Sequence, residues 1–186
     1  DYKFDTPSGK IELFSNMMDQ RGKEFAGDYC PVPHFLEPDE SIMGTPELAK
    51  KYPINVISQH PSFRTHSQYY NLPWIQEVEG PAKIYINEED AAQRGIKDGD
   101  LVRVFNDRGE LVNIVAKVTR RVKPNVAEMS SGMWVKLGGS VNKLTSLSVG
   151  GPRDISENGG IMYAYHPLLD GNTGAYFNTL IDIQKM

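Results

Sequence analysis

Cysteine is almost absent from this sequence of 186 residues, in which Cys30 is the single example. One cysteine excludes an internal disulfide and any metal cluster that needs several cysteines from this chain. Cys30 stands between Tyr29 and Pro31, and the sequence offers no recognisable activating base near it. We therefore interpret Cys30 as a structural thiol, with a catalytic thiol as the alternative.

Long apolar runs and an excess of positive charge are missing as well. No apolar run reaches the roughly 18 residues of a transmembrane helix, and there is no signal-peptide pattern. The formal net charge of −4 does not favour nucleic acid or an anionic membrane as a partner. Because the sequence starts at Asp1 without a methionine, we expect a piece of a longer polypeptide, whose targeting signals would lie elsewhere.

The remaining composition is that of an ordinary globular protein, with 39% hydrophobic and 24% charged residues. We divide the chain into an N-terminal arm, residues 1–51, and a compact domain, residues 52–186. We expect the arm, which carries many charges and prolines, to continue from a preceding domain. Alternation predicts a strand over residues 10–15, and a short helix is expected over residues 46–51.

The compact domain is predicted to consist of short strands, one capped helix and long loops. Asn87 is the predicted N-cap of the helix and Gly95 its end. A mainly β chain with one small helix favours a closed β-barrel. The predicted strands cover residues 54–57, 82–86, 101–105, 111–118, 126–129 and 179–183.

A tight hairpin is predicted at residues 106–109, where Gly109 can adopt positive φ. In the strand that follows, alternation predicts that Val112, Ile114, Ala116 and Val118 share one face. Glycines then punctuate residues 132–174. They fit either long connecting loops or backbone that approaches a ligand.

A polar segment follows the first predicted barrel strand. Pro61 keeps His60 out of the helical region and prevents the strand from continuing. The fork of Arg64 and the neighbouring donors can bind a phosphate or the edge of a heterocycle. A solvated loop is the alternative. The candidate residues of this segment are Ser58, Gln59, His60, Arg64, His66, Ser67 and Gln68.

Further motifs stand in order along nearly the whole chain. Together with the polar segment they resemble the C-terminal domain of the molybdopterin oxidoreductases, the dimethyl-sulfoxide-reductase family. No single motif is decisive, but the ordered series is specific. It comprises Phe4-x-Thr6-Pro7-Ser8-Gly9-Lys10-Ile11-Glu12-Leu13, Ser58-x-His60-Pro61-x-x-Arg64-x-His66-Ser67-Gln68, Asn71-x-x-Trp74, Ile86-Asn87-x-x-Asp90-Ala91-x-x-Arg94-Gly95-Ile96-x-Asp98-Gly99-Asp100-x-Val102-x-Val104-x-Asn106-x-x-Gly109, Gly132-x-Trp134, Asn142-x-Leu144-Thr145 and Phe177-Asn178-x-Leu180.

The resemblance implies a double-psi β-barrel that binds a molybdopterin guanine dinucleotide. In the family this cofactor occurs in a bis form that holds molybdenum or tungsten. Residues 58–68 would line its pterin and pyrophosphate, with Arg64 and His66 in direct contact. Trp134 would approach the cofactor, and Asn142 and Asn178 would form hydrogen bonds with it. The alternatives are a packing role for Trp134 and turn roles for the two asparagines.

The resemblance also implies what this chain does not supply. The family's metal ligand comes from an earlier domain, and an iron–sulfur cluster occurs elsewhere in many members. We therefore expect no catalytic or metal-ligating residue here, and no turnover by this chain alone. The implied partners are the preceding catalytic domains, with iron–sulfur and membrane-anchor subunits as further candidates. The periplasm and the cytoplasm both remain open, as does the substrate.

Two other roles compete with this interpretation. Related double-psi barrels act as partner-binding modules, for example at the N-terminus of certain AAA ATPases. Those would lack the His-Pro-x-x-Arg-x-His-Ser segment and the Asn-x-Leu-Thr motif that are present here. A separate small barrel subunit is the other alternative, and residues 6–13 argue against it because they look like continuation from a preceding domain.

Overall fold

The computed structural model describes residues 3–24, 31–32, 40–139, 141–145 and 179–186. The predictions for Cys30, Asn178 and most of the glycine-rich segment lie outside these residues. The chain forms two compact units, residues 1–36 with 148–174 and residues 37–147 with 175–186. The division after residue 51 is a different one and stays a prediction.

The described part of the first unit contains one helix, α1 (Asn16–Glu24), which the sequence did not predict. The expected strand over residues 10–15 is wrong, because these residues form bends and irregular backbone. Local hydrogen bonds replace strand pairing here: Thr6 Oγ1 donates to the Lys10 carbonyl at 2.6 Å. Ile11 and Leu13 stay 69% and 80% exposed, so alternation alone did not create a buried face.

In the second unit the described residues form a closed barrel of six strands, which confirms the predicted mainly β, double-psi barrel class. The strand order around the barrel is β1-β5-β2-β4-β3-β6. Strands β1 and β5 run parallel, as do β2 and β4, while the other neighbouring pairs run antiparallel. The strands are β1 (Ile54–Gln59), β2 (Lys83–Asn87), β3 (Leu101–Asn106), β4 (Gly109–Thr119), β5 (Val126–Ser130) and β6 (Leu180–Lys185).

The barrel interior is filled by alternate residues of each strand, such as Val56, Ile84 and Val102, which are fully buried. Strand β4 departs from the predicted alternation. The pairing register with β3 shifts between Val102 and Val104, and Asn113 adopts a φ of 58°. This bulge turns Leu111 inward and leaves Val112 44% exposed, so the predicted face is wrong at Val112.

Three helices accompany the barrel in the described residues: α2 (Pro46–Lys51), α3 (Pro73–Glu79) and α4 (Glu88–Gln93). Helix α2 confirms the prediction for residues 46–51. Helix α4 is capped as predicted, since the Asn87 side chain accepts from the Glu89 N–H at 2.9 Å. Gly95 follows with a φ of 63° and ends the helix.

Strands β1 and β5 determine where the polar segment lies. Gln59 pairs with Ser130 at the ends of these parallel strands, so the chain leaves both strands at the same end of the barrel. We call residues 60–72 the first loop and residues 131–139 the second loop. Both loops therefore start side by side.

Candidate functional site

The polar segment begins inside the barrel wall. Ser58 and Gln59 pair with Met129 and Ser130 as the last residues of β1. The strand is thus two residues longer than predicted, and these two candidates are not loop residues. Ser58 is 9% exposed, whereas Gln59 is half-buried at the strand end.

Two imidazoles lie next to each other on the first loop. The rings of His60 and His66 are 5.2 Å apart in an edge-to-face arrangement, and both residues are exposed. His66 has a φ of 51°, an uncommon conformation for a residue with a side chain and one that is often found at functional sites. Ser67 and Gln68 follow, also exposed. The loop therefore presents four polar side chains at one end of the barrel.

Arg64 lies beneath this surface. Its side chain is completely buried, and its Nε donates to Glu79 Oε2 at 3.0 Å. Nη2 donates to Ser130 Oγ at 3.2 Å. The guanidinium carbon stands 4.4 Å from the centre of the Tyr70 ring, at a distance typical of cation–π contact. Burial raises the pKa of the Tyr70 hydroxyl, so this ring stays neutral.

The same guanidinium joins the two loops. Nη2 donates to the Ser131 carbonyl at 3.0 Å and Nη1 to the Gly132 carbonyl at 3.2 Å, both in the second loop. Nη1 also donates to the His66 carbonyl of the first loop. Arg64 thereby connects segments that are separated by about 68 residues in the sequence.

The loops also touch each other directly. Gly132 has a φ of 69°, and a Cβ there would lie 2.5 Å from the carbonyl carbon and oxygen of His66. Trp134 Nε1 donates to the Ser67 carbonyl at 2.8 Å, while the Trp134 residue remains 40% exposed. The indole N–H is therefore used within the protein, and part of the ring faces solvent.

A cavity of about 260 Å³ opens beside the first loop. Its lining combines aromatic and polar groups, including Gln59, Phe63, Tyr70, Glu79, Lys83 and Ser130. Two buried oxygens near Arg64, Ser131 Oγ and Glu79 Oε1, have no hydrogen-bond partner among the described residues. Such atoms are few in native proteins, and here both belong to residues around the two loops.

Asn142 lies on a short 3-10 helix, Val141–Lys143, and is exposed. The turn is held from the β3–β4 hairpin: Asn106 Nδ2 and Arg108 Nε donate to the Leu144 carbonyl at 2.8 and 2.7 Å. The sequence predicted this hairpin but gave Asn106 and Arg108 no part in the site. Asn106 belongs to the turn sequence that predicted the hairpin. Its acceptor, the Leu144 carbonyl, is 38 residues away, so the local sequence does not indicate this contact.

Glu40 completes this anchor. Both of its carboxylate oxygens accept from Arg108, and Oε2 also accepts from the Leu180 N–H at 3.0 Å. The carboxylate is buried. Leu180 begins β6, two residues after Asn178, which itself lies outside the described residues.

The described residues bring together His60, Arg64, His66, Ser67 and Trp134 through direct contacts, with Ser58, Gln59 and Gln68 beside them. They do not contain a group of three or more histidine, cysteine or acidic side chains that could hold a metal ion. In the described part of the chain, no helix is long and apolar enough to cross a membrane. The surface is thus one of hydrogen-bond donors and acceptors and exposed aromatic rings.

A match to a known protein family covers the region that contains the two loops. The family model described as "Molydopterin dinucleotide binding domain" matches residues 54–153, which begins at β1 and includes both loops. In the solved acetylene hydratase from Pelobacter acetylenicus, the similar region covers 100% of this chain and 24% of that one, with a TM-score of 0.68 and 20% identity. At this identity the likeness shows the fold alone.

Two relatives found by sequence have a higher identity to this chain than the acetylene hydratase has. A dimethyl sulfoxide/trimethylamine N-oxide reductase from Cereibacter sphaeroides is 41% identical over 132 residues, covering 69% of this chain and 15% of that protein. The probable oxidoreductase YyaE of Bacillus subtilis is 38% identical over 146 residues, covering 78% and 20%. This chain thus spans at most about a fifth of such relatives. It belongs to the molybdopterin oxidoreductase family, as a molydopterin dinucleotide binding domain.

Proposed function

We propose that this chain is the C-terminal domain of a molybdenum or tungsten oxidoreductase and binds the pterin and phosphates of a bis-molybdopterin guanine dinucleotide cofactor. The observation that carries the proposal is the exposed group of His60, His66, Ser67 and Gln68. It stands where two parallel strands of a family barrel end together. Imidazole, hydroxyl and amide groups are donors and acceptors that suit both a diphosphate and a pterin edge.

The residues present fit such a group. Imidazole N–H and hydroxyl groups can donate to phosphate oxygens, and an amide can match a paired donor and acceptor on a heterocycle. The exposed part of Trp134 adds an aromatic surface beside them. Asn142 is exposed on the turn that Arg108 anchors. When bound, the cofactor supplies two-electron chemistry at its metal; this chain's residues bind it, orient it and keep water away.

The proposal assigns no turnover to this chain alone. It covers between 15% and 20% of its oxidoreductase relatives, so we propose that the metal ligand and the substrate pocket belong to preceding domains of the same polypeptide. An iron–sulfur cluster and partner subunits would likewise lie outside this chain. A stand-alone binding module is the competing role, and it has no need of the exposed imidazole pair.

Cofactor content of the polypeptide that carries this sequence tests the proposal. We would purify it from a host that makes molybdopterin guanine dinucleotide. Molybdenum and tungsten would be measured by mass spectrometry, oxidised pterin by fluorescence, and guanosine monophosphate after hydrolysis. The double variant His60→Ala with His66→Asn removes the imidazole pair, and asparagine tolerates the left-handed backbone at residue 66. Each lost hydrogen bond to a charged group costs about 1.5–3 kcal/mol, so we expect cofactor retention to fall roughly tenfold or more.

Arg120→Ala is the matched control, because this exposed side chain pairs with Glu88 and lies outside both loops. We expect it to keep the cofactor content of the wild type. A folded wild-type protein without pterin would contradict the proposed function. Unchanged cofactor retention in the double variant would contradict the role of the imidazole pair.

A further inference from the structure

We propose that Arg64 is a positioning residue, which locks the two loops into the shape of the site and does not itself bind the ligand. This assignment differs from the direct contact that the sequence predicted for Arg64. The ligand named here rests on the proposed function, whereas the connection between the loops belongs to the protein without ligand. The two parts can therefore be tested apart.

The hydrogen-bond donors of the Arg64 guanidinium are all used within the protein. An arginine side chain has five N–H donors and no acceptor. Arg64 makes five hydrogen bonds to protein groups, with Glu79 Oε2, Ser130 Oγ and three main-chain carbonyls as acceptors. No donor is left over for a phosphate. A ligand could reach Arg64 only by breaking bonds that are already formed.

Burial and charge make such an exchange unfavourable. The Arg64 side chain is 0% exposed and that of its ion-pair partner Glu79 is 14% exposed. Tyr70 covers one face of the guanidinium. Pulling the arginine toward a ligand would leave the mostly buried Glu79 carboxylate unpaired, and breaking a buried ion pair by removing one partner is strongly destabilising.

The position of the acceptors explains what Arg64 does instead. One acceptor carbonyl belongs to His66 in the first loop, and two belong to Ser131 and Gly132 in the second loop. The His66 carbonyl lies next to a residue with a φ of 51°. By binding this carbonyl, Arg64 stabilises the backbone that places the His66 imidazole beside His60. The exposed imidazoles then remain available to a ligand.

Lysine cannot replace this arrangement. Its ammonium has three donors around one point, whereas the guanidinium directs five donors in a planar fork. Arg64→Lys keeps the positive charge but leaves acceptors in both loops unsatisfied. A positioning role therefore predicts that Arg64→Lys resembles Arg64→Met. A role in neutralising phosphate predicts that lysine retains much of the binding.

The first experiment uses the unliganded 186-residue chain. The indole N–H of Trp134 bonds to the Ser67 carbonyl across the two loops, so its NMR resonance and hydrogen-exchange rate report the connection. The other tryptophan, Trp74, is 60% exposed on α3 and serves as internal reference. We expect Arg64→Lys and Arg64→Met to shift the Trp134 resonance and to raise its exchange rate at least tenfold.

Arg94→Met controls for general loss of stability. Arg94 is also mostly buried and pairs with Asp182 at 2.9 Å, but it follows α4 and donates to Asp182 and to the Asp90 carbonyl, both outside the two loops. We expect the Trp134 signal to stay unchanged in this variant even when the melting temperature falls. An unchanged Trp134 signal in both Arg64 variants would overturn the positioning role. If Arg64→Met does not fold, Arg64→Lys and Glu79→Gln provide the same reading.

The second experiment measures cofactor content in the polypeptide that carries this sequence. We expect Arg64→Lys and Arg64→Met to lose pterin to the same extent, at least tenfold, while Arg94→Met retains it. Loss of pterin with an undisturbed Trp134 signal, or retention in the lysine variant alone, would identify Arg64 as a direct ligand and overturn the proposal. A wild-type protein without pterin would contradict the proposed function but not the connection between the loops.

Discussion

At the scale of single residues, Gly132 is a point of close approach between the two loops. A side chain there meets two obstacles, the φ of 69° and the His66 carbonyl at 2.5 Å from the added Cβ. A strained φ costs on the order of 1–3 kcal/mol, and overpacking adds about 1–3 kcal/mol. We therefore expect Gly132→Ala to lower the free energy of unfolding by roughly 2–6 kcal/mol, as measured by urea denaturation.

Gly99→Ala separates the two obstacles. Gly99 has a φ of 86°, but nothing lies within 4 Å of its added Cβ, so only the backbone strain is introduced. We expect its loss of stability to be at least about 1 kcal/mol smaller than that of Gly132→Ala. Equal losses for the two variants would show that the loops separate freely at Gly132, against the close contact described above.

The sequence indicates which polar residues lie in the first loop, but it does not indicate which of them are buried. The sequence identifies His60, Arg64 and His66 as polar residues after a strand, because residue type and local order are both visible in it. It cannot show which of them is buried. The carbonyl acceptors of Arg64 in the second loop lie about 67 and 68 residues away, and only the closed barrel brings them together. The direct contact of Arg64 with the cofactor was predicted without this tertiary information, and it stays a prediction beside the positioning role proposed above.

At the scale of elements, the β3–β4 hairpin anchors the turn that carries Asn142. Arg108 donates to the Leu144 carbonyl and pairs with the buried Glu40 carboxylate. Removing Arg108 leaves that carboxylate without its cation, and an unsatisfied buried group costs about 1–3 kcal/mol. We expect Arg108→Ala to destabilise the chain by this amount and to raise the hydrogen exchange of the Leu144 amide, which bonds to the Val141 carbonyl at 2.8 Å.

Arg103→Ala is the matched variant on the same hairpin. Arg103 pairs with Glu110, and both side chains are largely exposed. Exposed ion pairs contribute about 0.2–1 kcal/mol, so a small loss and an unchanged Leu144 amide are expected. If Arg103→Ala disturbs the Leu144 amide as much as Arg108→Ala does, the anchor is a property of the whole hairpin and not of Arg108.

Elements that are bounded by local capping residues were predictable from the sequence. Elements that depend on pairing with a distant strand were not. Asn87 and Gly95 bound α4 through local capping, which the sequence displays. The residues over 10–15 alternate equally well but form no strand, because alternation needs a second strand and a core to bury its apolar face. The bulge at Asn113 depends on the register with β3, which the sequence of β4 does not specify.

At the scale of the whole molecule, the class of fold followed from short strands with one capped helix, whereas the strand order did not. The barrel places β5 between β1 and β2 and makes β1 and β5 parallel. This strand order depends on pairing between strands that are far apart in the sequence, and a short apolar run does not specify which strand it pairs with. The motif series supplied this information through resemblance, and the site at the common end of β1 and β5 depends on it.

Three aspartates of this unit pair with lysines from other segments of the chain, and each pairing lowers the pKa of the aspartate. A hydrogen bond from Lys117 lowers the pKa of Asp98, one from Lys185 lowers that of Asp100, and one from Lys51 lowers that of Asp107. A carboxyl group whose pKa is lower in the folded state than in the unfolded state stabilises the fold. This stabilisation is fully present at pH values above the ordinary carboxyl pKa of 3.8. This contribution is lost as the pH falls through the lowered values.

We therefore expect the urea midpoint of the 186-residue chain to fall as the pH drops below about 4. The triple variant Asp98→Asn, Asp100→Asn, Asp107→Asn should show a flatter pH dependence over this range, and a lower midpoint at pH 7. Because the Asp98 and Asp107 pairs are exposed and the Asp100 pair is partly exposed, salt at about 0.5 M should screen them and reduce the difference between the two proteins. Asp5→Asn, at an exposed residue of the first unit, is the control and should follow the wild-type curve. A triple variant with the full acid dependence of the wild type would show that other carboxyl groups determine the stability of the barrel at low pH.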